Sequence, residues 1–327
     1  MTPSPRIANS RLAFLHQKLT RRVTPLLIVA LSVLLPQMAA AGAWTLEKGH
    51  VWSKISYLSL STTEHYNAAG EAGAFPGRYN SRQVFLDLFY GVNDRVDVGL
   101  QIPFVSRKFA DLTNENHMNF FGGDDNGGES GVGDLRGFAK INLVQQPFVG
   151  TLKLGCKAPI GSFRDLPPEA VSASDGQWDF DVVAQVGRSF WPVPLYANVD
   201  LGYRFRQENS DTAYDEPDGE FIYNAEAGLN PMDKILVALK LEGIISGGII
   251  NGDYPKSDGR RITYLVPTLL VNLQPNLSLE AAARMSISGR ADQFYKGAPP
   301  PPPYTYFAGS TWTVGISYSG GLFASSM

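Results

Sequence analysis

The fold of this chain is decided by residues Leu195–Arg206, which read LYANVDLGYRFR. Every second residue, beginning with Leu195, is apolar, and the residues between include asparagine, aspartate and two arginines. Because successive side chains of a β-strand point to opposite faces, this stretch predicts a strand with one apolar and one ionic face. Such a strand either buries its apolar face in a soluble sheet or turns it to lipid, as in a membrane barrel with a wet lumen.

The same alternation recurs along the chain and predicts about twelve strands of about ten residues each, the length that a tilted membrane-spanning strand needs. Short turns such as Val92–Asp94 alternate with long polar stretches such as Ser61–Ser81 and Ser106–Ser130. The sequence therefore predicts an all-β transmembrane antiparallel β-barrel with short periplasmic turns and long extracellular loops. A soluble lipocalin-like barrel or sandwich is the alternative, although nothing in its physics requires every second loop to be long.

The first 41 residues have the composition of a secretory signal peptide. Five basic residues and no acidic residue precede the apolar run 26–35, and small residues suited to cleavage follow at 39–43. That run is about half the roughly 20 residues of a spanning helix, which favours a cleaved leader over an anchor. We predict a signal peptide over residues 1–41, cleaved near 41–43, and one barrel domain over 42–327.

Composition narrows the class of partner. The 327 residues are 44% hydrophobic and carry a formal charge of −3, and the remainder after the basic leader is more acidic still. An acidic chain argues against nucleic acid, whose binding depends on neutralising phosphates. Cys156 is the only cysteine, so no internal disulfide can form.

Charged residues on the polar face of the predicted strands are the candidate lumen lining. Their signs are mixed, and antiparallel neighbours place them within pairing distance. They either neutralise one another and fill the lumen or also line a path and set its selectivity. Asp87 and Glu220 share this face. The candidate selectivity residues are Asp97, Asp134, Arg136, Lys140, Lys153, Lys157, Asp179, Asp181, Asp200, Arg204, Arg206, Glu226, Lys240, Glu242, Glu280 and Arg284.

Catalytic chemistry has little support in the sequence. His50, His65 and His117 are the histidines beyond the leader, and none lies in the middle of a predicted strand. No serine-centred elbow and no spaced metal-ligand cluster accompanies them. We predict no catalytic residues, no metal and no cofactor.

Aromatic residues concentrate near the predicted strand ends, where amphipathic rings favour the membrane interface. These residues are Trp52, Tyr90, Phe104, Trp178, Trp191, Phe205, Phe221 and Tyr318.

Two motifs carry a family resemblance. Residues 131–140, GVGDLRGFAK, and residues 152–162, LKLGCKAPIGS, join a Gly-x-Gly-Asp strand to a Lys-x-Pro-x-Gly strand end. The chain resembles the outer-membrane barrels named for a MetA pathway of phenol degradation. The resemblance implies a transport role near aromatic degradation and fixes no catalytic residues.

The sequence therefore favours an outer-membrane channel or transporter for small molecules, including hydrophobic or aromatic ones. Its expected location is the outer membrane of a Gram-negative bacterium, and its expected partners are outer-membrane lipid, a small solute and the barrel-assembly machinery. Two alternatives stay open. One is a structural or surface-recognition barrel with a plugged lumen, and the other is a lipid-acting enzyme with a Ser or Thr beside His65 or His117.

Overall fold

The computed structural model describes residues 42–111, 126–162, 172–207, 219–247, 259–290 and 307–321. Among these residues no helix is long and apolar enough to cross a membrane. The strands are β1 (His50–Tyr66), β2 (Ala72–Asn93), β3 (Val96–Asp111), β4 (Asn126–Val132), β5 (Leu135–Val144), β6 (Val149–Ala158), β7 (Asp179–Ser189), β8 (Leu195–Arg206), β9 (Gly219–Met232), β10 (Ile235–Ser246), β11 (Arg261–Gln274), β12 (Leu277–Arg290), β13 (Phe307–Ala308) and β14 (Ser310–Gly321).

The strands form one antiparallel sheet that closes on itself, because β1 pairs with β2 on one side and with β14 on the other. Strand β4 pairs with β3 beyond the β3–β5 ladder, and β13 pairs with β1 beyond the β1–β14 ladder. Strand β4 occupies the same wall position as β5, and β13 the same position as β14, so the fourteen strands fill twelve positions in the wall. The predicted transmembrane barrel of twelve antiparallel strands is confirmed.

The alternation in Leu195–Arg206 sorts side chains as predicted. On β8, Tyr196 and Asn198 are 3% and 2% exposed, whereas Leu201 and Phe205 are 49% and 52% exposed. The exposed apolar residues face outward on every wall strand, so the barrel presents a hydrocarbon-compatible surface to lipid. The opposite parity faces the lumen.

Two strand boundaries differ from the prediction. The polar stretch Ser61–Ser81 continues the β1–β2 ladder, with Thr62 opposite Tyr79, and only Asn67–Glu71 forms the turn. The alternation fades there because both faces are polar, while main-chain hydrogen bonds continue the ladder. The predicted long stretch Ser106–Ser130 is also strand at both ends, because β3 continues to Asp111 and β4 begins at Asn126. Parts of the predicted long loops, including residues 112–125 and 163–171, lie outside the described residues.

Candidate functional site: the barrel lumen

The strand register places the candidate selectivity residues on the lumen side of the wall, except Asp134, which lies between β4 and β5 and reaches the lumen side through Lys157, 3.6 Å away. Paired rows run across the lumen face, for example Asp97 opposite Lys140 and Arg204 opposite Glu220. The end of the barrel with the short turns is called the periplasmic end below, and the other end the extracellular end.

The wall formed by β6–β9 carries a continuous ion network, defined here as Lys157, Asp179, Arg204, Arg206 and Glu220. The Lys157 Nζ lies 2.9 Å from Asp179, whose carboxylate also lies 3.3 Å from the Arg206 Nε. The Arg204 guanidinium lies 2.9 Å and the Arg206 guanidinium 3.3 Å from Glu220. Each charge therefore contacts opposite charges on neighbouring strands, which offsets the loss of water around buried ions.

An inward segment, Ser172–Gln177, joins this network at the extracellular end. Ser172, Ser174 and Gln177 are each at most 2% exposed. The Arg107 Nη1 donates to the Ser172 carbonyl over 2.5 Å, and Asp175 pairs with Lys157 and with Arg206. Burial opposes the charge of Asp175, yet Lys157 and Arg206 hold the pKa of that carboxyl below its usual value. The segment narrows the lumen from inside the wall.

A second set of ion pairs lies on β1 and β10–β12. The Lys54 Nζ lies 2.6 Å from Glu280. The Glu242 carboxylate lies 2.7 Å from the Lys240 Nζ and 2.5 Å from the Arg284 Nε. The Arg284 guanidinium also stacks on Tyr264, 3.4 Å from the ring centroid.

Neutral donors hold other lumen carboxylates. Asp200 accepts hydrogen bonds from Gln185, Asn198 and Asn224, at 3.1, 2.6 and 3.1 Å. Glu226 accepts from the Tyr196 hydroxyl at 2.7 Å.

A segment before β1, Gly42–Gly49, crosses the lumen at the periplasmic end. The Ala43 N–H donates to Asn198 Oδ1 over 2.9 Å, and Thr151 donates to the Ala43 carbonyl. The Lys140 Nζ donates to the Trp44 carbonyl over 2.5 Å, and the Leu46 N–H donates to both Asp97 carboxylate oxygens, at 2.9 and 3.0 Å. The segment thus bridges β8 and β6 on one side to β3 on the other. Sequence reasoning missed it because nothing in its local pattern indicates these distant contacts.

An aromatic row, defined here as Trp52, Phe89 and Phe138, lines the lumen on β1, β2 and β5. The ring centroids of Trp52 and Phe89 are 5.3 Å apart, and those of Phe89 and Phe138 are 4.8 Å apart. Trp52 was expected at the membrane interface; that expectation is wrong, because Trp52 shares the lumen parity of Lys54 and Ser56. The alternation of side chains along β1 could have revealed that Trp52 faces the lumen.

Apolar side chains continue from this row towards the extracellular end along β2 and β3. Phe85 lies opposite Pro103, and Val105 is 5% exposed. Farther along, Tyr79 stacks on Phe307 with ring centroids 4.0 Å apart. Apolar side chains therefore recur along one side of the lumen, with polar ones such as Asp87 and Gln101 between them.

Among the described residues, the histidines and the cysteine do not form a site. His50 lies 3.8 Å from Glu47 beside the first turn, and His65 lies near the extracellular end of β1. His117 lies outside the described residues. Cys156 is a free cysteine on the outward parity of β6. Within the described ranges, no group of three or more His, Cys, Asp or Glu side chains is arranged to hold a metal ion.

Comparison with known proteins gives a family and a fold. The model of the family described as "Putative MetA-pathway of phenol degradation" matches residues 65–298. No curated protein matches the chain.

Among solved structures, the COG4313 outer membrane channel from Pseudomonas putida F1 is similar, with a TM-score of 0.66 and 14% identity over 86% of this chain and 100% of that one. The toluene transporter TbuX of Ralstonia pickettii gives a TM-score of 0.41 and 11% identity over 84% of this chain and 90% of that one. At 14% identity, the likeness to the Pseudomonas putida channel concerns the fold alone.

Proposed function

The chain belongs to the family described as "Putative MetA-pathway of phenol degradation", and from that premise we propose that it is an outer-membrane channel for small hydrophobic or aromatic molecules. The observation that carries the proposal is the aromatic row in the lumen, together with the apolar side chains that recur from it towards the Tyr79–Phe307 stack. A lumen built only for water and ions has no need of stacked rings along its wall. Aromatic solutes gain favourable ring contacts there, and burial of their apolar surface adds to the attraction.

Passage requires the segment Gly42–Gly49 to move. Its contacts with the wall are hydrogen bonds along its length, the Trp44–Tyr196 ring contact at 5.9 Å and the burial of Ala43 and Leu46. In the described part of the chain it has no strand pairing of its own. A neutral hydrogen bond contributes on the order of 1 kcal/mol and one to a charged side chain about 1.5–3 kcal/mol, so displacement has a substantial cost but breaks no β-ladder.

The same segment is the observation that favours the second candidate, a barrel with a permanently plugged lumen. The two candidates differ in one property, namely whether a solute crosses. The lipid-acting enzyme stays a prediction without a catalytic group assigned to it.

The test is uptake by Gram-negative cells, whose lipopolysaccharide layer slows hydrophobic solutes. Cells that produce the protein should take up radiolabelled toluene and phenol several times faster than cells that produce no barrel. Sucrose, in liposome-swelling assays with the purified protein, serves as the polar control and should enter slowly. A protein that accelerates neither solute class and is silent in planar bilayers would support the plugged barrel instead.

Delivery of the protein to the outer membrane also forms part of the proposal. A leader over residues 1–41, cleaved near 41–43, would export the chain, and the barrel-assembly machinery would insert it among outer-membrane lipids. N-terminal sequencing of protein purified from outer membranes tests the cleavage point.

A further inference from the structure

Two lumen-facing cations, Arg136 and Lys153, differ from the other charged side chains of the lumen. Lys54, Lys157, Arg204, Arg206, Lys240 and Arg284 each contact a carboxylate. Across the described part of the chain, neither the Arg136 guanidinium nor the Lys153 ammonium makes a hydrogen bond or an ion pair, and Asp181 acts on both only at longer range. The contact that Lys153 does make is with an aromatic ring, because its Nζ lies 4.5 Å from the Phe138 centroid.

Nearby carboxylates are already occupied. Asp181 accepts a hydrogen bond from the Arg204 Nε at 2.8 Å, and Asp87 accepts one from the Gln101 Nε2 at 2.7 Å. Asp200 accepts three from amide groups. The carboxylates of the central lumen therefore already accept hydrogen bonds, while the N–H groups of Arg136 and Lys153 have no acceptor among the described residues. Unused donors on partly buried cations favour the binding of an anion.

The free cations adjoin the aromatic row. Phe138 lies between Arg136 and Lys140 along β5, and its ring contacts Phe89, which in turn contacts Trp52. Gly99 faces Phe138 across the β3–β5 ladder, and a side chain there would overlap the ring, with a Cβ only 2.7 Å from Phe138 Cδ2. Glycine at this position lets the ring lie against β3. Lys153 therefore joins aromatic surface and positive charge at one place in the lumen, and Arg136 lies two residues from Phe138 on the same face of β5.

We propose that Arg136, Lys153 and the aromatic row form a binding site for a small aromatic carboxylate. The ring of the ligand packs against Phe89 and Phe138, and its carboxylate accepts hydrogen bonds from the Lys153 ammonium and the Arg136 guanidinium. This inference rests on the proposed channel function and narrows its substrate class to aromatic anions. A neutral ring would use only half of the site, and a simple anion only the other half.

The experiment measures equilibrium binding to the full barrel in a detergent without aromatic groups, by titration calorimetry. Benzoate is the probe, benzyl alcohol supplies the ring without the charge, and acetate supplies the charge without the ring. The test variants are Lys153→Met and Arg136→Met, which keep an unbranched apolar side chain. The matched control is Lys240→Met, which removes another lumen lysine, one whose partner Glu242 keeps its contact with Arg284.

We expect benzoate to bind about tenfold or more tightly than either reference compound, because two charge-assisted hydrogen bonds act together with ring contacts. Each test variant should weaken benzoate binding by about tenfold, while Lys240→Met leaves it unchanged. Because neither test residue has a carboxylate partner among the described residues, both variants should fold. The heat-dependent mobility of the barrel in SDS gels checks this.

Equal affinity for benzoate and benzyl alcohol would overturn the proposal, since the site would then read only the ring. Equal affinity for acetate, or equal weakening by Lys240→Met, would overturn it as well, since general lumen charge would be responsible. Uptake assays separate this failure from failure of the channel. Toluene uptake with no benzoate binding would leave the channel standing, whereas Lys153-dependent benzoate binding without any uptake would leave the site standing.

Discussion

Two regions of the same lumen use polar and apolar side chains in opposite ways. On β6–β9, the ion network joins each charge to several opposite charges across neighbouring strands. On β1, β2 and β5, the aromatic row lies beside cations that have no such partner among the described residues. Charges that already have partners hold the strands together and have little capacity left to bind a ligand. Donors without acceptors, next to accessible aromatic rings, can bind both the charged group and the ring of a ligand. The stability of the fold therefore depends mainly on the ion network, and the binding of a solute depends mainly on the aromatic row.

The largest effect is expected from Glu220→Gln in the ion network. This change leaves Arg204 and Arg206 facing a neutral amide in a buried place, and it removes a carboxylate that lies 3.8 Å from Arg260. Because Arg204 and Arg206 keep their contacts with Asp179, we expect the free energy of unfolding to fall by about 3 kcal/mol, as two hydrogen bonds between charged groups are weakened. Urea unfolding in detergent micelles measures it.

The control for this change is Glu226→Gln, another lumen glutamate, whose described partner is the Tyr196 hydroxyl. Here we expect a loss of about 1 kcal/mol. If both variants lose the same stability, the ion network is no more structural than the rest of the lumen, and the comparison fails.

An intermediate effect is expected from Phe138→Leu in the aromatic row. The ring contacts with Phe89 and Lys153 are lost, so uptake of toluene and phenol should fall severalfold. The free energy of unfolding should change by less than about 1.5 kcal/mol, because an apolar side chain of similar size remains. Cellular uptake and urea unfolding, measured on the same variant, separate the two quantities.

Phe180→Leu is the matched control, because Phe180 lies on the outward face of β7 and is 49% exposed. Its uptake should equal that of the unmodified protein. An equal loss of uptake in both variants would show that the row has no special part in passage.

The smallest effect is expected from Asp175→Asn at the inward segment, where the carboxylate is partly exposed. Its pKa is lowered by Lys157 and Arg206, so the ionised form stabilises the fold at pH values above the unfolded pKa of about 3.9. That contribution is lost as the pH falls through the lowered pKa of the folded state. The difference in unfolding free energy between the two proteins should therefore shrink from pH 6 towards strongly acidic pH, and urea unfolding across that range measures it. A constant difference would mean that Asp175 acts through packing and not through its charge.

The sequence predicts the wall of this barrel better than its contents. Alternation along Leu195–Arg206 places Asp200, Arg204 and Arg206 in the lumen, because a strand has only two faces and lipid excludes charge from one of them. The lumen position of Trp52 is hard to predict because β1 carries serines on both faces, which weakens its alternation. The position of Trp52 near the end of this strand then suggests the membrane interface.

The segments inside the barrel could not be predicted at all. Gly42–Gly49 and Ser172–Gln177 have no period-two alternation, and turn residues such as Gly49 and Gly176 predict a loop without saying where it lies. Their positions depend on side chains far along the chain, such as Asn198 and Arg107. Likewise, parity shows that Arg136 and Lys153 face inward but not that they lack partners. That depends on how neighbouring acids use their own hydrogen bonds.

The position of Gly42–Gly49 also fixes an order of events during assembly. Its contacts reach the lumen faces of β3, β6 and β8. These faces come together only when the strands have paired. This stretch precedes every strand in the chain, yet it can dock only after the wall around it exists. The earliest described residues therefore reach their final position only after strands β3 to β8 have paired, and a spectroscopic label at Trp44 would report that pairing.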